Sequence, residues 1–171
     1  MQNYFELFDL KAIFAINDQQ LHSAYQEQVS KFHPDKYAAK STEEQLQALQ
    51  NTSLINAAYD ALKSPLERAS YLLSLQGINP FDEKDTQMNV EFLMSQIELR
   101  EQLEGIQAQK DELGLDDFIS VVDKCANEKV NLISLAFANS QESQIIKNLV
   151  RELKFYSQLK KEANRLMDEW L

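Results

Sequence analysis

His33 and Asp35 stand one residue apart, with Pro34 between them and Lys36 directly after. An imidazole that titrates near neutral pH beside a carboxylate is a pairing suited to acid–base chemistry. Catalysis would also need a nucleophile, an oxyanion donor and a pocket, and nothing in the sequence supplies them around this pair. The chain is therefore expected not to be an enzyme. What these residues do supply is a rigid, exposed turn. Proline fixes one backbone dihedral, and the ring and the carboxylate are displayed on either side of it.

Metal and thiol chemistry have little to work with. The chain holds one cysteine, Cys125, and two histidines, His22 and His33. That is too few for the closed four-ligand sites that structural zinc or an iron–sulfur cluster prefers, so no metal site and no cofactor is expected. Cys125 falls in the apolar-periodic stretch Ile119, Val122, Cys125, Ala126, which suits a small core side chain. A lone cysteine permits no internal disulfide, in keeping with a reducing compartment.

The elements that must position the His-Pro-Asp turn are helical. Among 171 residues there are only three glycines and three prolines, where about twenty would be average. Sheet-rich folds need such residues at every hairpin, and no two glycines lie close enough to form a phosphate-cradling loop. There are 27 acidic against 17 basic residues, a formal charge of −10. With no basic stripe, nucleic acid is a poor partner. No apolar run approaches the roughly 20 residues of a membrane span. The opening after Met1, with Tyr4, Phe5 and acidic residues, lacks the features of a signal or transit peptide, so a cytoplasmic location is expected.

Residues 4–8 are a short aromatic-rich segment, expected to form a helical turn or two. A helix capped by Asn17 or Asp18 carries Leu21, Ala24, Tyr25, Val29 and Phe32 on one face and must end near Phe32, because Pro34 cannot continue it. Ser41 and Glu44 have capping-box spacing for a second long helix, with Leu46, Leu49, Ile55, Ala58, Tyr59 and Leu62 assigned to its buried side. Ser64-Pro65-Leu66-Glu67 starts a third, and Gly77 stops it. Residues 76–89 read as a connector. Beyond it, Asn89 caps a helix to about Lys110, Gly114 with Asp116-Asp117 breaks and restarts the chain, and Asn139-Ser140 opens a last helix to Trp170. Three helices with short turns make an up-down-up bundle.

The segment 4–76 resembles a J-domain, the module of DnaJ-type co-chaperones. The likeness is carried by Tyr4-Phe5-Glu6-Leu7-Phe8, by Lys31-Phe32 before His33-Pro34-Asp35-Lys36, by Asn56-Ala57-Ala58-Tyr59-Asp60-Ala61-Leu62, and by Ser64-Pro65-Leu66-Glu67-Arg68-Ala69 with Tyr71. It implies that the loop docks on a DnaK-type chaperone and stimulates its ATP hydrolysis. Asp35 would accept charge-assisted hydrogen bonds from a partner arginine, His33 would donate to the partner, and Pro34 would set the turn. Lys31, Lys36 and Lys40 would supply the electrostatic steering. The stretch Leu21 to Lys31, usually basic in J-domains, holds one lysine and one glutamate.

Leu72-Leu73-Ser74-Leu75-Gln76-Gly77 and Phe92-Leu93-Met94-Ser95-Gln96-Ile97-Glu98-Leu99-Arg100-Glu101 extend the likeness to the HscB family, the J-type co-chaperones of iron–sulfur cluster assembly. The expected architecture is all-α, with a J-domain at 1–76, a connector at 77–88 and a three-helix bundle at 89–171 that binds a client. The resemblance implies an HscA-like chaperone partner and an IscU-like scaffold as that client. The alternative is a general J-domain protein that delivers unfolded chains. At about 100° per residue, Phe92, Gln96, Leu99, Leu103 and Ile106 share one face, suited to the bundle core. Val90, Leu93, Met94 and Ile97 lie roughly opposite, with Glu101 and Glu104 among them. An exposed apolar strip rimmed by carboxylates is a protein-binding pattern. In the family the scaffold-binding positions match Leu93, Met94, Ile97, Glu98 and Glu101, and a phenylalanine of the last helix matches Phe155. Phe155 lies off the stripe Leu149, Leu153, Tyr156, Ala163, Leu166, Trp170, so it too is expected to be exposed. Gly105 stands inside this first bundle helix, where glycine costs about 1 kcal/mol relative to alanine.

Overall fold

Short polar side chains mark most of the helix starts. The computed structural model describes residues 3–85 and 87–171; Met1, Gln2 and Thr86, the last within the expected connector, lie outside them. Asn3 and Glu6 form a reciprocal capping box on α1 (Tyr4–Leu7). The Asn17 side chain accepts from the Gln20 amide at the start of α2 (Asp18–Phe32). Pro34 follows at once, and the chain makes a 3₁₀ turn, Pro34–Tyr37. Ser41 caps α3 (Thr42–Lys63), and Ser64 caps α4 (Pro65–Leu75), with Pro65 in the first turn where its missing N–H leaves nothing unpaired. Gly77 ends this run in the left-handed region at φ 77°, a conformation glycine adopts without steric penalty. Every regular element among the described residues is helical, as the composition predicts.

The chain divides into two compact units, the first ending at Gly77 and the second beginning at Ile78. In the first, α2 and α3 run antiparallel. Tyr25 stacks on Tyr59 with ring centroids 4.1 Å apart, and the Tyr25 hydroxyl donates to Asn56 Oδ1 at 2.7 Å. Phe5, Leu21, Ile55, Leu62 and Leu73 are the largest fully buried side chains here. Arg68 is buried with them. Its Nε donates to Phe14 O at 2.7 Å and its Nη1 to Leu62 O at 2.8 Å, while the guanidinium lies over the Phe14 ring. Burial lowers its pKa from the ordinary arginine value. One side chain thus ties the end of α3 and the loop before α2 to α4. Two assignments fail in this unit: Leu46 and Leu49, expected on the buried side of α3, are 55% and 54% exposed. The buried stripe is Ala48, Ile55, Ala58 and Leu62, and turning about 100° per residue from Ile55 puts Leu46 on the opposite side of the helix and Leu49 about 120° round from the stripe.

The second unit is built on α5 (Val90–Gln109), α6 (Glu112–Ala138) and α7 (Ser143–Trp170). Phe92, Leu99 and Leu103 of α5 meet Leu115, Phe118 and Val122 of α6 and Phe155, Tyr156, Leu159 and Ala163 of α7 in one core. α5 ends near Lys110 as expected, but the starts of the two helices that follow differ from expectation. α5 ends through Lys110, left-handed at φ 50°, and Asp111 caps α6. Gly114 is not the break but lies in the first turn of α6, its amide donating to Asp111 Oδ1 at 2.9 Å. A Cβ there would collide with the Asp111 carboxylate. Likewise Asn139 and Ser140 close α6, with Ser140 at φ 50°, instead of opening α7. At both stops amides beyond the helix reach back to its last carbonyls, Asp111 to Ile106 and Gln141 to Ala136 among them.

Residues of the connector are fastened to α7. Asp85 accepts from Lys147 Nζ at 2.6 Å and from the Gln87 amide at 3.0 Å, with Arg151 3.6 Å away. The Lys147 hydrogen bond, helped by the Gln87 amide, holds the Asp85 carboxyl at about 2. An unfolded aspartate titrates near about 3.9. The folded value is the lower one, so this stabilisation is fully present above about pH 4 and is lost as pH falls from about 4 towards about 2. Urea unfolding followed by the single tryptophan, Trp170 of α7, should show Asp85→Asn less stable than the parent at neutral pH. The gap between the two should close across that acid window.

Candidate partner-binding sites

The His-Pro-Asp turn is held from both sides. His33 has extended backbone (φ −59°, ψ 131°) and caps the 3₁₀ turn, its Nδ1 accepting from the Asp35 amide at 3.2 Å. In that tautomer Nε2 carries the proton and is the ring's remaining donor. The Lys36 amide closes the turn on His33 O at 3.0 Å. Asp35 Oδ2 lies 3.5 Å from the His33 ring nitrogen, yet the Asp35 side chain is 91% exposed, so nearly all of its acceptor capacity faces solvent. Lys31, His33, Pro34 and Lys36 are exposed as well. Below the turn, the Thr52 hydroxyl of α3 lies 3.0 Å from Phe32 O and 2.9 Å from Ala48 O, bridging the last turn of α2 to α3. Gln45 Nε2 donates to Ala38 O and Lys40 O on the outgoing side. These two positioning residues were not singled out from the sequence. A threonine and a glutamine at ordinary helix positions carry no signal until the loop they serve is placed.

Cys125, the one thiol, is half-buried against the core of the second unit, and burial raises its pKa, which makes it a poor nucleophile. Among the described residues no three His, Cys, Asp or Glu side chains gather as a metal site requires, and no helix is long and apolar enough to cross a membrane.

The second surface is the outer side of α5. Val90 is 69% exposed, Leu93 39%, Met94 59% and Ile97 59%, and Glu98 and Glu101 are exposed beside them. On the opposite side Phe92, Leu99 and Leu103 are buried. A helix apolar on two opposite faces uses one for its own core and leaves the other for contact. Phe155 does not join the outer face. It is 8% exposed and packs edge-on against Phe92 and Tyr156 at centroid separations of 5.7 and 5.5 Å, with the Arg100 guanidinium over its ring. The expectation of exposure fails because α7 packs against both α5 and α6, so its buried arc is wider than one stripe. Arg100 also pairs with Glu162 at 2.6 Å, linking α5 to α7.

Comparison with known proteins follows these two surfaces. The family model described as DnaJ domain matches residues 3–71, and the one described as HSCB C-terminal oligomerisation domain matches 88–164. A curated co-chaperone protein HscB from Proteus mirabilis (strain HI4320) is 41% identical over 165 residues, which is 96% of this chain and 95% of that protein. The chain belongs to the HscB family of J-domain co-chaperones. Among solved structures, chaperone HscB from Vibrio cholerae matches with a TM-score of 0.86 at 38% identity, covering 99% of this chain and all of that one. Human co-chaperone HscB matches with a TM-score of 0.86 at 26% identity, covering 96% of this chain and 81% of that one. Membership in the HscB family makes the chain a co-chaperone, with a DnaK-type chaperone as its partner.

The burial of Phe155 has a measurable consequence for any HscB-type contact assigned to it. Phe155→Ala should destabilise the second unit by about 3–5 kcal/mol, the usual result of emptying a buried aromatic site. Unfolding curves followed at Trp170 would show this. A stability near that of the parent would mean that the ring is not part of the core.

Proposed function

We propose that this protein stimulates ATP hydrolysis by an HscA-like chaperone of the DnaK type and delivers to it an IscU-like iron–sulfur scaffold, in the cytoplasm. The observation that carries the reading is the His-Pro-Asp turn, exposed at its tip and fastened at its base to α3 by Thr52 and Gln45. The chain would act on its partner's chemistry by docking, with no bond made or broken on its own residues. Asp35 offers a carboxylate to a partner guanidinium, and a charge-assisted bond of this kind contributes about 1.5–3 kcal/mol. His33 offers the Nε2 proton beside it, and Pro34 holds the two in fixed relation. Lys31 and Lys36 flank the turn with positive charge.

Delivery of the scaffold is assigned to the outer face of α5. Leu93, Met94 and Ile97 present apolar surface, and Glu98 and Glu101 edge it with carboxylates, so the matching surface of the scaffold is apolar with basic groups at its margin. Phe155 contributes from beneath, by packing against Phe92 on the inner face of the same helix.

Two variants separate the halves of this proposal. Asp35→Ala should reduce the stimulation of the chaperone's ATPase by at least about tenfold while scaffold binding persists. Undiminished stimulation would remove the docking role from the turn. The triple variant Leu93→Ala, Met94→Ala, Ile97→Ala should bind the scaffold about a hundredfold more weakly in a pull-down or titration, with stability little changed because the three side chains are exposed. Equal capture of many unfolded peptides, with no preference for the scaffold, would instead favour a general J-domain protein.

A further inference from the structure

Leu46 and Leu49 stand on the solvent side of α3, one turn apart, each with more than half of its surface exposed. Nothing in the fold of the first unit requires leucine there, since the packing of α3 is carried by Ala48, Ile55, Ala58 and Leu62. Their place is what gives them meaning. Leu46 follows Gln45, whose side chain binds the two carbonyls of the outgoing loop, at 3.0 Å from Ala38 O and 3.3 Å from Lys40 O. Leu49 precedes Thr52 by three residues, and Thr52 holds the carbonyl of Phe32, immediately before His33. The two leucines therefore sit on the stretch of α3 that is fastened to both ends of the His-Pro-Asp turn.

Charge around the turn is nearly balanced. Lys31, Lys36 and Lys40 are offset by Glu27 on α2, by Asp35 itself, and by Glu43 and Glu44 in the first turn of α3. A docking surface with so little net charge gains little from electrostatic attraction. Apolar burial is the other source of affinity, and covering a leucine that is half exposed in the free protein supplies it.

We propose that Leu46 and Leu49 continue the docking surface of the His-Pro-Asp turn along the start of α3, and that the occupant is the DnaK-type chaperone. The inference rests on the reading that the turn docks on that chaperone. It adds that most of the affinity is apolar, while the turn supplies the trigger.

The test titrates the full-length protein against the chaperone and records ATPase rate as a function of concentration. The double variant Leu46→Gln, Leu49→Gln keeps helix propensity close to that of leucine. It should raise the half-saturating concentration about tenfold or more and reach the same maximal rate, whereas Asp35→Ala should lose the maximal rate. For the parent protein, raising salt from about 50 to about 200 mM should shift half-saturation by less than about threefold. An unchanged half-saturation in the double variant, with Asp35→Ala inactive, overturns the apolar extension and leaves the docking turn standing. Full activity of Asp35→Ala overturns the docking turn itself. Loss of scaffold binding in the double variant, or a parent that sediments as a dimer and a variant that sediments as a monomer, assigns the patch to another occupant and also overturns the proposal. Alanine at both positions, a better helix former still, repeats the titration free of any effect of glutamine on folding.

Discussion

A helix that runs into a proline must stop, and the carbonyls of its last turn must then find other donors. Pro34 imposes this on α2, and much of the first unit answers to it. Phe32 O is met by the Thr52 hydroxyl, which commits α3 to lie alongside α2 at a fixed height. The turn that results is closed by its own amides, from Asp35 to the His33 ring and from Lys36 to His33 O. Its polar tip faces solvent, with the Asp35 side chain 91% exposed. A loop whose backbone is satisfied internally can present a ring and a carboxylate to solvent without the entropy loss that a floppy loop would suffer on binding.

The second unit solves a different problem. A single helix, α5, has to belong to a core and also offer an apolar face outward. Its inner residues are large, Phe92 and Leu99 with Leu103, and they meet an aromatic cluster of Phe155 and Tyr156 that gives edge-on contacts in addition to area. Arg100 anchors the flank of the helix to Glu162. With the inner face this well occupied, the outer leucine, methionine and isoleucine do not compete for the core, although they are equally apolar. The long α6 and α7 hairpin, held further by Lys160 with Asp123 and by Lys129 with Glu152, provides the base on which α5 rests.

Helix starts and the proline stop were legible because each is a local event. Asn17, Ser41 and Ser64 cap where their side chains suggest, and α2 ends at Phe32. The two faces of α5 were legible for a similar reason, since twenty consecutive helical residues make angular arithmetic reliable. Three readings failed where information was not local or was read by residue type alone. Leucine type alone points Leu46 and Leu49 inward, although their angles from Ile55 turn them towards solvent. The end of α5 near Lys110 agrees with the sequence, but Asp111 and not Gly114 with Asp116-Asp117 restarts the chain, and Asn139-Ser140 closes α6 instead of opening α7. A single apolar stripe on α7 leaves Phe155 outside, but a helix with two neighbours buries more than one stripe. At the His-Pro-Asp turn, Lys31, His33, Pro34, Asp35 and Lys36 are all exposed, as their types suggest. The two that hold the turn, Gln45 and Thr52, became visible only with the fold.

Arg68 carries a consequence for what substitutions the first unit can accept. Its fork reaches two carbonyls that face it from different elements, Phe14 O through Nε and Leu62 O through Nη1. A lysine concentrates its donors on one atom and loses its charge more readily when buried, so it cannot reproduce that span. A methionine would fill the volume but take the guanidinium donor from Leu62 O and leave Phe14 O to the Ile16 amide. Arginine suits this position through the geometry of its guanidinium and not through its charge alone.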